Sequence, residues 1–120
     1  MTLRECYAAL EGNCDEVLNR LRSEALVQKF VLKFLADGSY ELLCSSMESE
    51  NYPEAFRAAH TIKGVCQNLD FTRLYRSSSE LSDALRNGFT PEAPALAERV
   101  EADYRQTVEA IRAYKAAAGL

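Results

Sequence analysis

Apolar side chains recur along most of this chain at the three- and four-residue spacing of an amphipathic α-helix. A short first helix is predicted over Leu3 to Leu10, ended by the pair Gly12-Asn13. A broad apolar stripe then extends from Val17 to Leu35 and predicts a second, longer helix. Only three prolines and five glycines interrupt the chain, and no run alternates as a strand would. The pattern therefore predicts an all-α fold.

Turn residues divide the next part of the chain. Residues 37–39 (Asp-Gly-Ser) have the composition of a turn, with Gly38 suited to the left-handed conformation and Ser39 able to cap a helix that runs to about Ser49. Residues 51–54 (Asn-Tyr-Pro-Glu) predict another start, because proline and an acidic residue are both favoured in a first helical turn. We expect this helix to continue to about Leu69.

The C-terminal part contains two further predicted helices. Residues 70–72 (Asp-Phe-Thr) break the preceding helix or turn it into a fifth, whose apolar face includes Leu74 and Leu85. Asn87-Gly88 ends that helix, and Thr90 as cap with Pro91 at the first position predicts a last helix through about Ala117, followed by Gly119. Short connections favour antiparallel neighbours. The predicted architecture is an up-and-down antiparallel four-helix bundle with additional terminal helices.

Length and charge narrow the class of protein. The chain has 120 residues, 48% of them apolar and 27% charged, which predicts one folded domain over residues 1–120. Its formal net charge is −4, and its Lys and Arg residues are scattered among acids. No basic tract would accumulate on a phosphate backbone, so nucleic-acid binding is disfavoured.

Metal binding and a membrane location are also disfavoured. The four cysteines, Cys6, Cys14, Cys44 and Cys66, form no Cys-x-x-Cys pair. Only one histidine is available to complete the ligand set of a zinc ion. The N-terminus lacks a signal-peptide pattern, and no apolar run reaches the roughly 18 residues of a membrane-spanning helix. We therefore expect reduced cysteines, no bound metal, no membrane anchor and a cytoplasmic location.

The only histidine, His60, lies on one side of the helix that begins near residue 51. At about 100° per residue the predicted core stripe is centred about 140° away from His60, which should therefore face outward or lie at the rim. The stripe consists of Ala55, Ala59, Ile62, Cys66 and Leu69. The residues within roughly 60° of His60 are Phe56, Lys63, Gly64 and Gln67.

This face could handle a phosphoryl group. A neutral imidazole has a lone pair able to attack phosphorus, Lys63 would neutralise phosphoryl charge and Gln67 could donate a hydrogen bond. Gly64 costs about 1 kcal/mol relative to alanine inside a helix, which indicates a steric requirement. The simpler interpretation is a solvated helix face with an incidental histidine, in which Gly64 packs against a neighbouring helix.

The segment Ala59-His60-Thr61-Ile62-Lys63-Gly64 resembles the Ala-His-x-Leu-Lys-Gly signature of histidine-containing phosphotransfer (HPt) domains. The similarity in length and pattern covers most of the chain. The resemblance implies that His60 is the phosphoacceptor, Lys63 the cation near the phosphoryl group and Gly64 the position of close approach. One difference is Asp70, where family members often carry glycine, and this puts the ending of the helix in question.

The resemblance also implies the partners and the mechanism. His60 would accept a phosphoryl group from an aspartyl phosphate on a response-regulator receiver domain, alone or in a hybrid histidine kinase, and pass it to another receiver. The receiver would supply Mg²⁺, so no cofactor of its own is expected. The chain has no glycine-rich phosphate loop, and self-phosphorylation from ATP is not expected.

Two alternatives come from other classes of protein. One is a helical docking module that binds receiver or kinase domains without phosphotransfer, and the other is a purely structural bundle. Phe56 could anchor a partner or belong to the core, and Arg57 and Arg86 could contact phosphate or partner acids or remain solvated.

Overall fold

The computed structural model describes all of residues 1–120 and confirms the all-α fold class. Short turns connect the helices, and a single 3₁₀ turn, Phe34–Ala36, follows the third of them. The helices are α1 (Leu3–Ala9), α2 (Cys14–Leu21), α3 (Glu24–Lys33), α4 (Ser39–Glu48), α5 (Tyr52–Leu69), α6 (Thr72–Leu85) and α7 (Ala93–Ala117).

The last four helices, α4 to α7, form the bundle, and the three that precede them in the chain are the additional terminal helices. In chain order α4 packs on α5, α5 on α6 and α6 on α7. The rings of Tyr40 on α4 and Tyr104 on α7 stack with centroids 4.0 Å apart and so join the first and last helices of the bundle. Helix α1 packs against α7, while α3 contacts both α5 and α7. The predicted bundle with additional terminal helices is confirmed.

An aromatic cluster joins the N-terminal helices to the bundle. The ring of Phe71, fully buried between α5 and α6, meets Phe34 edge-on at 5.4 Å and Tyr7 at 5.8 Å. Phe34 also contacts Tyr104 at 5.9 Å. Each of these rings removes a large apolar surface from water, so this cluster is a main source of the packing energy that holds the terminal helices in place.

The prediction of a single, continuous second helix is wrong. It is divided at Arg22, whose φ of 60° is left-handed and ends α2. The side chain of Ser23 then caps α3 by accepting a hydrogen bond from the Leu26 amide at 3.2 Å. The apolar stripe continues through both helices because both cover the same core, and this continuity hid the break.

The predicted turn at residues 37–39 differs in its details. Gly38 has a φ of −89°, so it is not left-handed, and Ser39 lies inside α4 rather than capping it. The carboxylate of Asp37 instead accepts a hydrogen bond from the Ser39 amide at 2.8 Å. An aspartate two positions earlier therefore performs the local role that the sequence assigned to serine.

The start of α7 also lies later than predicted. The helix begins at Ala93, and the proline in its first turn is Pro94 rather than Pro91. Thr90 does not cap it: its hydroxyl is buried without a hydrogen-bond partner, and its carbonyl accepts from the Ala93 amide at 3.1 Å. Two prolines three positions apart offer equivalent local signals, and the helix uses the second.

Helix α5 has well-defined ends, as predicted. Asn51 caps its start by accepting from the Glu54 amide at 3.4 Å, with Pro53 in the first turn. Asp70 ends it with a left-handed φ of 57°, the conformation that glycine adopts most easily. The Asp70 carboxylate accepts from the Asn13 amide at 2.5 Å and so ties this junction to the start of α2. The backbone thus turns as it would with glycine, and the side chain adds a hydrogen bond.

Candidate functional site

The buried side of α5 determines which residues face outward. All five members of the predicted core stripe are buried, as is Ala58, which the pattern had not included. The opposite side of the helix is therefore turned to solvent. His60 is exposed there, which confirms the orientation predicted from the helical angle.

An aromatic ring lies against the imidazole of His60. The half-buried ring of Phe56, one turn earlier, stacks on it with centroids 5.9 Å apart and an interplanar angle of 30°. The guanidinium carbon of Arg86, at the end of α6, lies 5.4 Å from the centroid of the Phe56 ring. Arg86 also forms an ion pair with Asp83 at 3.1 Å. The helical angle places Phe56 near His60, but only the tertiary structure brings in Arg86.

Lys63 and Gln67 extend the same face toward the C-terminal end of α5. Lys63 is half-buried and forms no ion pair, and Gln67 is exposed and makes no hydrogen bond within the protein. The ammonium group and the amide are thus both without a partner inside the protein. Imidazole, ammonium and amide together offer a nucleophile, a cation and a neutral donor.

Gly64 adjoins open space. A Cβ atom built at this position would meet no other atom within 4 Å, so no neighbouring helix requires the glycine. The interpretation of Gly64 as a packing contact is therefore wrong. Because glycine has only a hydrogen in place of a side chain, the helix surface is low at this position, and another molecule can approach the backbone closely.

Arg57 is engaged within its own helix. Its guanidinium forms an ion pair with Glu54 at 2.7 Å, and its carbonyl accepts a hydrogen bond from the Thr61 hydroxyl at 2.9 Å. Arg57 and Arg86 both line a cleft of about 490 Å³ beside Phe56. The structure thus brings both arginines to one side of the His60 face, although each already has an acidic partner.

A second depression lies beyond the other end of the face and was not anticipated. This groove of about 540 Å³ runs between α2, α3 and α5, and Phe30, Val65 and Asn68 are among its lining residues. It includes none of the predicted site residues. It depends on how three helices pack together, so no local sequence pattern indicates it.

Metal-binding and thiol groups do not contribute to this face. The structure contains no cluster of three or more His, Cys, Asp and Glu side chains that could hold a metal ion. Cys66 lies on the buried side of α5, where burial raises the pKa of its thiol and keeps it protonated. Of the four free cysteines only Cys44, on α4, is exposed. No helix has both the length and the apolar composition needed to cross a membrane.

Comparison with protein families yields one match that spans nearly the whole chain. The model described as the Hpt domain matches residues 5–114, a range that includes every predicted site residue. Comparisons with curated proteins and with solved structures find no match to the chain.

Proposed function

Since the chain belongs to the Hpt domain family, whose members are phosphotransfer modules of two-component signalling, we propose that His60 is its phosphoacceptor. In this proposal His60 takes the phosphoryl group from an aspartyl phosphate on a receiver domain, free-standing or part of a hybrid histidine kinase. It then passes the group to the aspartate of another receiver. The protein is a carrier and does not use ATP itself.

The observation that carries the proposal is the exposure of His60 within the family's motif. It is the only imidazole in the chain, and it lies on the solvent side of α5, where a receiver can reach it. Lys63, without an acidic partner, is available to offset phosphoryl charge, and Gln67 is available as a hydrogen-bond donor. Gly64 allows the partner to approach closely.

The chemical step is an exchange of bonds at phosphorus. The lone pair of an imidazole nitrogen forms a new N–P bond while the bond between phosphorus and the aspartyl oxygen breaks, and the aspartate leaves as a carboxylate. The other ring nitrogen can release its proton to solvent. Because both phosphoryl bonds are reactive, the reverse sequence returns the group to a receiver. Alignment and charge neutralisation are the main contributions that proteins make to such a transfer.

The test is transfer of labelled phosphate from a phosphorylated receiver in the presence of Mg²⁺. We expect the wild-type protein to acquire label that is acid-labile and base-stable, as a phosphoramidate bond is. His60→Gln should acquire none, a loss of more than about 100-fold, because the only imidazole is gone. His60→Gln should remain folded, which circular dichroism checks. It should also still bind the receiver, which a pull-down checks.

A matched control is Thr61→Ala, next to His60. The Thr61 hydroxyl bonds only to the carbonyl of Arg57, so its removal should leave the fold and the label acceptance in place. If His60→Gln acquired as much label as the wild-type protein, the assignment of His60 as phosphoacceptor would be wrong. Binding of the receiver without label on the wild type would instead establish the docking module without phosphotransfer.

A further inference from the structure

The side chain of the proposed phosphoacceptor belongs to a series of contacts that joins α5 to the end of α6. The Phe56 ring stacks on His60 at 5.9 Å, and the Arg86 guanidinium lies over the same Phe56 ring at 5.4 Å. We refer to Phe56, His60 and Arg86 as the α5–α6 stack. Lys63, Gly64 and Gln67 do not take part in it, so His60 is the only motif residue in the stack.

An exposed histidine on a helix has orientational freedom that transfer must remove. Its imidazole can rotate about two side-chain torsions, and the torsion that turns the ring has broad minima. In-line attack on phosphorus requires a particular nitrogen to point at the donor, so a ring held in advance has a smaller entropic barrier. A flat ring stacked at 30° to the imidazole restricts this rotation from one side.

Phe56 is itself restrained by contacts that His60 lacks. Its ring is half-buried and lines the cleft shared with Leu85 and Arg86. The Arg86 guanidinium also forms an ion pair with Asp83 at 3.1 Å, in which both side chains are exposed. Attraction between a guanidinium and an aromatic face is favourable even at exposed sites. Helix α6 therefore contributes to the placement of an imidazole that it does not touch directly in this series of contacts.

We propose that Phe56 is a positioning residue for His60, holding the imidazole in an orientation suited to in-line transfer, and that Arg86 supports it by its contact with the Phe56 ring. This role rests on the proposed function, since it concerns the rate at which His60 accepts the phosphoryl group. Neither Phe56 nor Arg86 is required to touch the phosphoryl group itself.

The first measurement observes the imidazole without any partner. With a single histidine in the chain, the histidine ring signals of a ¹H–¹³C spectrum belong to His60 alone. Phe56→Leu should move the two ring-proton signals toward free-histidine values, because the ring current of the stacked phenyl is lost. Phe56→Tyr keeps the ring and should preserve them. The matched control is Phe89→Leu, since Phe89 is an exposed aromatic whose recorded ring contact is with Tyr52 at 5.2 Å.

The second measurement is single-turnover transfer from a phosphorylated receiver over a range of receiver concentrations. Phe56→Leu should lower the maximal rate roughly three- to tenfold, the effect expected for loss of one aromatic contact, with the half-saturating receiver concentration unchanged. Phe56→Tyr should restore the rate. Arg86→Met should lower it about twofold and Phe89→Leu should leave it unaltered. Near-ultraviolet circular dichroism of each variant confirms that it is folded at the temperature used.

The outcomes separate this role from the proposed function. If the wild type accepts no label, the proposed function fails and the positioning role fails with it. If the wild type accepts label while Phe56→Leu transfers at the wild-type rate, or shows unmoved His60 signals, only the positioning role is overturned. A higher half-saturating concentration with an unchanged maximal rate would also overturn it, because Phe56 would then be a docking contact.

Discussion

At the scale of single residues, Gly64 separates the demands of folding from those of recognition. The helix would accept a methyl group there without any collision, and alanine favours helix by about 0.5–1 kcal/mol over glycine. Gly64→Ala should therefore raise the free energy of unfolding by about that amount, measured by urea denaturation. Its acceptance of phosphate from a receiver should fall roughly tenfold, because the added methyl group keeps the partner from its closest approach.

Gly12 provides the contrasting substitution. A Cβ atom there would collide with the carbonyl of Asp70 and the ring of Tyr7. Gly12→Ala should accordingly lower the free energy of unfolding by about 1–3 kcal/mol.

If Gly64→Ala transferred phosphate at the wild-type rate, Gly64 would not be the position of close approach, whatever its effect on stability.

The residues around His60 show what sequence can predict at this scale. The angular position of a residue on a helix follows from its number alone, so the burial of Ala59 and Ile62 and the exposure of His60 could be predicted. The pairing of Arg57 with Glu54 and the contact of Arg86 with Phe56 could not be chosen over solvation, because several rotamers satisfy the same spacing. The roles of Lys63, Gly64 and Gln67 in transfer stay predictions.

At the scale of helices, the junction between α5 and α6 depends on Asp70. Replacement of Asp70 by alanine removes the hydrogen bond to the Asn13 amide and leaves a side chain that disfavours the left-handed φ. Asp70→Ala should lower the free energy of unfolding by about 1–2 kcal/mol. Asp70→Asn retains both an acceptor oxygen and a tolerance for this conformation, so it should cost less. Equal urea midpoints for wild type and Asp70→Ala would show that the bond to Asn13 contributes nothing.

Helix existence was easier to predict than helix boundaries. Capping residues and prolines located α5 closely, because Asn51, Pro53 and Glu54 reinforce one another. The break at Arg22 has no such signal, since arginine is a good helix former and the apolar stripe continues through both α2 and α3. The start of α7 was misplaced for a related reason, because Pro91 and Pro94 offer equivalent local signals.

At the scale of the whole molecule, buried thiols make the free energy of unfolding depend on pH in the alkaline range. Burial raises the pKa of Cys6 to about 11 and also raises the pKa of Cys66. In the unfolded chain both thiols ionise near pH 9, so their contribution to stability is complete below that pH and is lost as pH rises toward the folded values. Between pH 8 and about 10.5 the free energy of unfolding should fall by roughly 2 kcal/mol for each of the two thiols.

Two cysteine variants test the origin of this pH dependence. Cys66→Ala should reduce the slope of unfolding free energy against pH, measured by urea denaturation at several pH values. Cys44→Ser should leave the slope unchanged, because Cys44 is exposed. An identical slope for Cys66→Ala and wild type would assign the dependence to other groups, of which Tyr7 is one, since burial also raises the pKa of its hydroxyl.

The bundle itself could be predicted from helix number and short connections, whereas the contacts that close it could not. The stack of Tyr40 on Tyr104 and the groove near Phe30 each join elements far apart in sequence, and their formation depends on the packing of the whole core. No pattern within a single helix contains that information.

The two sides of α5 have a consequence for how such a protein can change over generations. Ala55, Ile62 and Cys66 fix the helix from within, while His60, Gly64 and Gln67 have almost no contacts that stability requires. Substitutions on the outer side therefore cost little in folding. After gene duplication, a copy could acquire a new set of signalling partners through a few surface changes, and insulation between parallel pathways could arise without redesign of the interior.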